Sequence, residues 1–303
     1  MKVGIDLGGS HIAIGVVNNK GKIIEKFEKR ILSKEKKNIQ KTIETNIFEH
    51  INELKTKYNI EKIGIAAPGT IQDGKIIKAY NLGIEEYNIV ENLSKKIKVP
   101  IAIKNDAKCA AIAEQKYGCL KSYKRSLFLT LGTGIGGAVI INNKLLDAGN
   151  LPGCEFGHMI IEKDGLLCGC GKFGCWQQYA SMKAFKNKLR KELGYDEQTD
   201  SKQLLNLLRN SKKEDENFSS INNIIEEYIE DLSIGISNLI NIFEPEVIGI
   251  GGSFVYFKDI LLDRLKEKLI KDNLLFNSRK SLKVETAILE NDAGMIGAVI
   301  FDK

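Results

Sequence analysis

Three thiols and an imidazole lie along this chain at the spacing H-x9-C-x-C-x4-C: His158, Cys168, Cys170 and Cys175, with Gly169, Gly171 and Gly174 between them. Such a set closes a tetrahedron around Zn²⁺, and the glycines permit the tight turns the loop needs. Four protein donors leave no open position, so the expected Zn²⁺ is structural; free thiols or a redox pair are the alternative. Glu155-Phe156-Gly157-His158 ties this loop to other chemistry. Zinc takes one imidazole nitrogen and leaves the other to bond a ligand, while Glu155 can accept hydrogen bonds from ligand hydroxyls. The plainer reading of Glu155 is a surface residue beside a zinc loop. Cys109, Cys119 and Cys154 are expected to pack as small apolar residues.

A second group of residues suits phosphate chemistry. Asp6-Leu7-Gly8-Gly9-Ser10 follows an apolar run, where glycines let backbone N–H groups approach an anion and Asp6 can hold a Mg²⁺-bound water. Gly132-Thr133-Gly134-Ile135-Gly136-Gly137 matches G-x-G-x-x-G. A dinucleotide fingerprint needs those glycines to open a helix. Here Ala138 to Ile141 follow and read as a strand, so a phosphate-wrapping turn between two strands is the better account. Ordinary hairpin turns remain the alternative for both segments. Asn105-Asp106 closes an apolar strand and precedes a helix. A carboxylate there can take a hydroxyl proton as the oxygen attacks a γ-phosphate. Taken alone, the pair fits a helix N-cap better.

The elements that must carry these groups are legible from periodicity. Residues 2–30 read as three strands joined by two turns, and residues 126–146 repeat the plan. At an offset of 124 residues Gly8 falls on Gly132, Asn18-Asn19-Lys20 on Asn142-Asn143-Lys144, and Asp6 on Thr130. A repeat this long points to two related domains. Lys37 to Tyr58, Ala107 to Tyr117, Ile221 to Phe243, Leu261 to Ile270 and Asn291 to Phe301 read as helices. Glu61 to Ala66, Lys98 to Ile103 and Glu246 to Ile250 read as strands, the last ending in Gly251-Gly252-Ser253. The polar stretch 195–219 reads as a long loop or irregular helical insertion.

Bulk properties set limits. The 303 residues are 43% hydrophobic and 28% charged, a balance that supports globular cores. The net charge of +6 is scattered, and Lys34-Glu35-Lys36-Lys37 reads as a solvated face, so no nucleic-acid partner is expected. No stretch approaches the roughly 20 apolar residues that span a bilayer. With no signal-peptide pattern, a cytoplasmic protein is expected.

Together these motifs resemble the ROK family of bacterial sugar kinases and repressors over nearly the whole chain. The carriers are Asp6 to Ser10, Leu131 to Gly137, Pro68-Gly69, Asn105-Asp106, Glu155-x-Gly157-His158, the Cys168–Cys175 loop and Gly251-Gly252. The resemblance implies an α/β, actin-like (ribonuclease H-like) two-domain fold with an interdomain cleft. Residues 1–120 plus 290–303 would form the smaller domain and 121–289 the larger. It implies ATP with Mg²⁺, a hexose, and a homodimer. Asp106 would be the base, with Gly69, Asn105, Glu155, His158 and Gln177 toward the sugar. Asp6, Gly8, Gly9, Ser10, Gly132, Thr133, Gly134, Gly136, Gly137, Gly251 and Gly252 would lie toward ATP. Three positions depart from the family pattern. Ser10 replaces Thr, His11 stands where Lys is frequent, and Gln177 replaces a Glu that contacts the sugar. Family repressors carry a winged helix-turn-helix ahead of the DLGG motif; with that motif at residue 6, DNA binding is not expected. The expected reaction is phosphorylation of the 6-hydroxyl of an aldohexose, glucose first and N-acetylmannosamine second, with an inactive sugar sensor as the rival.

Overall fold

The computed structural model describes residues 1–9, 11–32, 35–146, 153–196, 199–212, 214–272 and 282–301. The chain divides into two compact units. One comprises Met1–Ser122, Lys144–Gly153 and Ile288–Lys303; the other comprises Tyr123–Asn143 and Cys154–Ala287.

The first unit contains β1 (Lys2–Leu7), β2 (His11–Val17), β3 (Ile23–Arg30), α1 (Ile39–Lys57), β4 (Lys62–Ala67), β5 (Thr70–Gln72), β6 (Lys75–Ala79), β7 (Ile84–Tyr87), α2 (Ile89–Lys96), β8 (Ile101–Asn105) and α3 (Asp106–Tyr117). The second contains β9 (Arg125–Leu131) and β10 (Ile135–Ile141). Lys144–Leu145 form β11. The second unit continues with α4 (Gln177–Ala180), α5 (Met182–Glu192), α6 (Ser201–Asn210), α7 (Phe218–Phe243), β12 (Val247–Gly252), α8 (Lys258–Asp272) and β13 (Lys283–Thr286). The final helix, α9 (Ala293–Ile300), belongs to the first unit.

In the first unit the main sheet runs β3-β2-β1-β4-β8. β1 is antiparallel to β2 and parallel to β4, and β4 is parallel to β8. The strands β1, β2 and β4 are mostly apolar because both faces are covered, whereas β3 at the sheet edge alternates exposed and half-buried residues. The helix α1 buries Ile39, Ile43, Ile47, Ile51 and Leu54, a stripe of helical spacing. The helix α9 packs closest of all. A Cβ on Gly4 or Gly64 would collide with the α9 backbone at Met295 and Ala298, so only glycine allows this approach. Across it lies α3, pinned at its far end by Glu114. That fully buried carboxylate accepts N–H groups from Cys119 (2.8 Å), Ile288 (3.0 Å) and Leu289 (2.8 Å).

In the second unit β10-β9-β12-β13 repeats the arrangement: β10 antiparallel to β9, then two parallel pairings. The long helix α7 buries Ile221, Ile224, Ile225, Tyr228, Ile229, Leu232, Ile236, Leu239 and Ile240. Each fully buried Ile or Leu there contributes about 1.5–3 kcal/mol.

Some segments differ from the sequence reading. Within 195–219 the chain forms the regular helix α6, capped by Asp200 and anchored by buried Leu204 and Leu208; polar composition masked that spacing. The strand expected from Lys98 starts at Ile101, because Pro100 has no N–H to pair and contributes its carbonyl to Ile63 instead. The small antiparallel sheet β5-β6-β7 and the eight-residue α2 carry too few residues each to register in the sequence as separate elements, and α5, which buries Met182, Phe185 and Leu189, is a further helix outside the sequence reading.

Candidate functional site

In the first unit the chemistry-bearing groups gather at the C-terminal ends of β1 and β8. Asp6 closes β1, and Asn105 and Asp106 sit where β8 passes into α3. The helix-cap reading of Asn105-Asp106 falls on Asn105. Asn105 is the cap: its Oδ1 accepts from Lys108 N at 3.2 Å. Its Nδ2 donates to the carbonyl of Gly69 at 3.1 Å, so the Pro68-Gly69 turn is tied to this strand end. Gly69 has φ +85°, and a Cβ there would strike the Lys78 carbonyl, which explains the glycine. Asp106 is thereby left as the first residue of α3, its carboxylate bonded to its neighbour Ala107 N at 2.8 Å.

Burial raises the Asp106 carboxyl above the usual range. Asp6 is raised further, to about 7, first by burial and then by the charge of Asp106, with Lys26 opposing. The charge of Asp106 makes ionisation of Asp6 harder, which a cation beside Asp6 would relieve. Lys26 was not read from the sequence; a lone lysine on an amphipathic strand gives no signal. Its Nζ is held by Asp292 Oδ1 (2.8 Å) and Glu28 Oε1 (2.6 Å). The first glycine turn follows β1. Gly8 N donates to His11 O at 2.9 Å, and the His11 imidazole lies where a Gly8 side chain would be. Gly9 follows Gly8 in this turn; Ser10 lies outside the described residues.

In the second unit the glycine turn Gly132–Gly134 joins β9 to β10, with Gly132 N donating to Gly134 O at 3.0 Å. Thr133 is exposed at its tip, and Gly136 and Gly137 lie within β10. The G-x-G-x-x-G segment therefore opens a strand and not a helix. Beside it stand Gly251 and Gly252, because β12 pairs with β9 through Gly251↔Thr130 and Gly252↔Leu131. Gly252 has φ +73°, and a Cβ there would be 2.5 Å from the Leu131 carbonyl. The helix α5 abuts the same turn, Lys183 N donating to Gly132 O at 3.0 Å.

The candidate metal ligands converge as their spacing implies. One donor atom from each of His158, Cys168, Cys170 and Cys175 lies within 4.8 Å of all the others. Cys170 Sγ is 3.6 Å from Cys175 Sγ, and Cys168 Sγ is 3.7 Å from His158 Nδ1. A tetrahedron with ~2.3 Å Zn–S bonds has edges of roughly 3.6–3.8 Å, so the donors fit Zn²⁺. His158 turns Nδ1 to the thiols, which leaves Nε2 as the nitrogen for a ligand. Burial opposes ionisation of Cys168, yet Cys170 N–H and the Gln178 and Gln177 amides hold its thiol down at about 6. Glu155 is exposed at the head of the short turn Phe156–His158. Next to the ligands, Trp176 is fully buried and donates to Asp231 O at 2.8 Å, fastening the metal loop to α7. Cys109 is buried; Cys119 and Cys154 are partly so.

Two α/β units with matching sheets, a glycine turn in each, and an acidic strand end in one define the actin-like two-domain fold of sugar kinases. A model described as the ROK family matches residues 2–303, and the chain belongs to that family. It is 29% identical to the glucokinase of Thermotoga maritima over 98% of this chain and 95% of that protein. It is 28% identical to the xylose repressor of Caldicellulosiruptor bescii, over 98% of this chain and 76% of that protein. Among solved structures, a ROK glucokinase from Streptomyces griseus in complex with glucose and AMPPNP superposes with a TM-score of 0.85 and 26% identity. That match covers 98% of this chain and 97% of the other.

Proposed function

We propose that this ATP-dependent sugar kinase transfers the γ-phosphate of MgATP to the 6-hydroxyl of an aldohexose, with glucose as the first substrate. The observation that carries it is the placement of two half-buried carboxylates, Asp6 and Asp106, at the strand ends of β1 and β8. Asp106 accepts the hydroxyl proton as the sugar oxygen bonds the γ-phosphorus, and the bond from that phosphorus to the bridging oxygen breaks to release ADP. A carboxylate raised by burial is a stronger base than one in water, which suits a hydroxyl of high pKa. Asn105, tied to Gly69 and to the start of α3, fixes the direction of Asp106. The family resemblance assigns sugar contacts to Asn105, Glu155, His158 and Gln177, phosphate contacts to Gly8, Gly9, Ser10 and Gly132–Gly137, and the adenosine side to Gly251-Gly252.

Asp6 suits Mg²⁺, a hard cation that takes carboxylate oxygen, and the metal supplies charge neutralisation on the phosphates. His158, Cys168, Cys170 and Cys175 hold a structural Zn²⁺. The same family reading favours a homodimer in the cytoplasm. Among the described residues no helix is long and apolar enough to cross a membrane.

The repressor relative favours a second reading, a sugar-binding regulator without turnover. A coupled ADP-release assay over glucose, mannose, fructose, glucosamine, N-acetylglucosamine, N-acetylmannosamine and allose separates the two. Turnover highest with glucose supports the glucokinase reading, and N-acetylmannosamine preference replaces it with the runner-up. No ADP release with any sugar, together with saturable sugar binding, supports the regulator.

A further inference from the structure

Gln177 opens α4 immediately after the buried Trp176, whose bond to Asp231 O fixes where the Gln177 backbone stands. From there the side chain reaches in two directions. Nε2 donates to Cys168 Sγ at 3.4 Å. Oε1 faces two glycines: a Cβ built on Gly134 would stand 2.7 Å from it, and one on Gly157 2.8 Å. One amide therefore touches a metal ligand, the turn that ends in His158, and the glycine turn between β9 and β10. A thiolate only accepts hydrogen bonds, so the nitrogen must face sulfur and the oxygen must face the glycines.

We propose that Gln177 is an outer-shell positioning residue of the zinc site, which holds the Cys168 thiolate by N–H···S and thereby fixes its own carbonyl against Gly134 and Gly157. The assignment rests on the reading of His158, Cys168, Cys170 and Cys175 as zinc ligands, and it deepens the sugar-contact role by leaving Oε1 as the acceptor. Zinc with three thiolates carries net negative charge. An N–H donor beside that charge is favourable. A carboxylate in the same place has no proton to give and is repelled by it. Partners of metal ligands typically change metal affinity 10–100-fold when lost. The buried position of Cys168, 2% exposed, keeps water from replacing the amide.

Metal analysis and chelator competition on the purified full chain test this, with Gln177→Met (similar length, no N–H) and Gln177→Glu (similar shape, charged). The expected result is about one Zn per parent chain. Affinity should fall about 10-fold in Gln177→Met and by more in Gln177→Glu, within the usual range for such partners. Melting curves with and without zinc supply a second readout. Zinc-free melting temperatures should match the zinc-free parent, while the increment that zinc adds shrinks in both variants. Parent-like zinc affinity in both variants overturns the role of Gln177 alone. Equal lowering of zinc-free and zinc-loaded melting temperatures, with affinity retained, marks a packing role and also overturns it. A parent protein that binds no zinc overturns the ligand reading itself.

Discussion

The two glycine turns follow one plan and diverge at their tips. At the 124-residue offset, β2 (His11–Val17) falls on β10 (Ile135–Ile141) from end to end. Their registers are one residue out of step. Four residues separate the paired Leu7 and Ile12, and three separate the paired Leu131 and Ile135. The first turn has an imidazole lying over Gly8, whereas among the described residues, chain neighbours aside, no atom comes within 4 Å of a Cβ built on Gly132. The strand leading into the first turn carries Asp6, which pairs with Ala13; its counterpart Thr130 is neutral and pairs with Gly136. Burial explains the split. The strands are held by apolar cores on both sides, which tolerate little change. The turn tips face away from those cores and are free to differ in charge and length. The first unit carries a carboxylate on the strand entering its turn, and the second carries the metal loop.

The comparison is tested most severely at Asp106. Asp106→Ala should lower kcat about 10²–10⁴-fold, the usual loss for a general base, while leaving zinc content unchanged. Near-normal turnover would remove the chemical asymmetry between the units. Cys175→Ser addresses the other half. It should release the metal and lower the melting temperature, since structural zinc contributes directly to folding free energy; a metal-free chain as stable as the parent would show that the second unit does not depend on its loop.

Glu114→Gln should destabilise the first unit by about 1.5–3 kcal/mol, because a charged acceptor for three backbone N–H groups is lost. Urea unfolding measures it, and an unchanged midpoint would show that α3 is held by packing alone. An effect confined to one pH range is expected from Asp6→Asn, read without metal. The folded Asp6 carboxyl lies at about 7, above its ordinary 3.8. Its favourable contribution is therefore complete below pH 3.8 and lost as pH rises through 7. Asn has no such dependence, so between pH 4 and pH 8 the variant should gain stability over the parent by up to about 4 kcal/mol, since about three pKa units count 1.36 kcal/mol each. The advantage should fade as pH drops toward 4. A gain independent of pH would mean that Asp6 stays ionised in the folded protein.

Asp106 illustrates how far the sequence could be read. Asn105-Asp106 had two competing readings, a helix cap and a base, and spacing could not divide them between two adjacent residues. The hydrogen bonds of Asn105 to Lys108 N and Gly69 O assign the cap to Asn105. Gln177 illustrates the opposite limit. Two residues after the last thiol, it reads from the sequence as a sugar contact, and nothing in that spacing shows that its amide also meets Cys168. Lys26 and Glu114 were invisible for the same reason, because their partners lie 266 and 174–175 residues away along the chain.

The sequence by itself determined the repeated strand-turn-strand plan, the long amphipathic helices and the Cys/His loop, since each is written in local periodicity or short spacing. Only the tertiary structure decided the raised Asp6 carboxyl, the assignment of the helix cap to Asn105, and the two-way reach of Gln177. Those depend on burial and on contacts between distant segments, which no local pattern encodes.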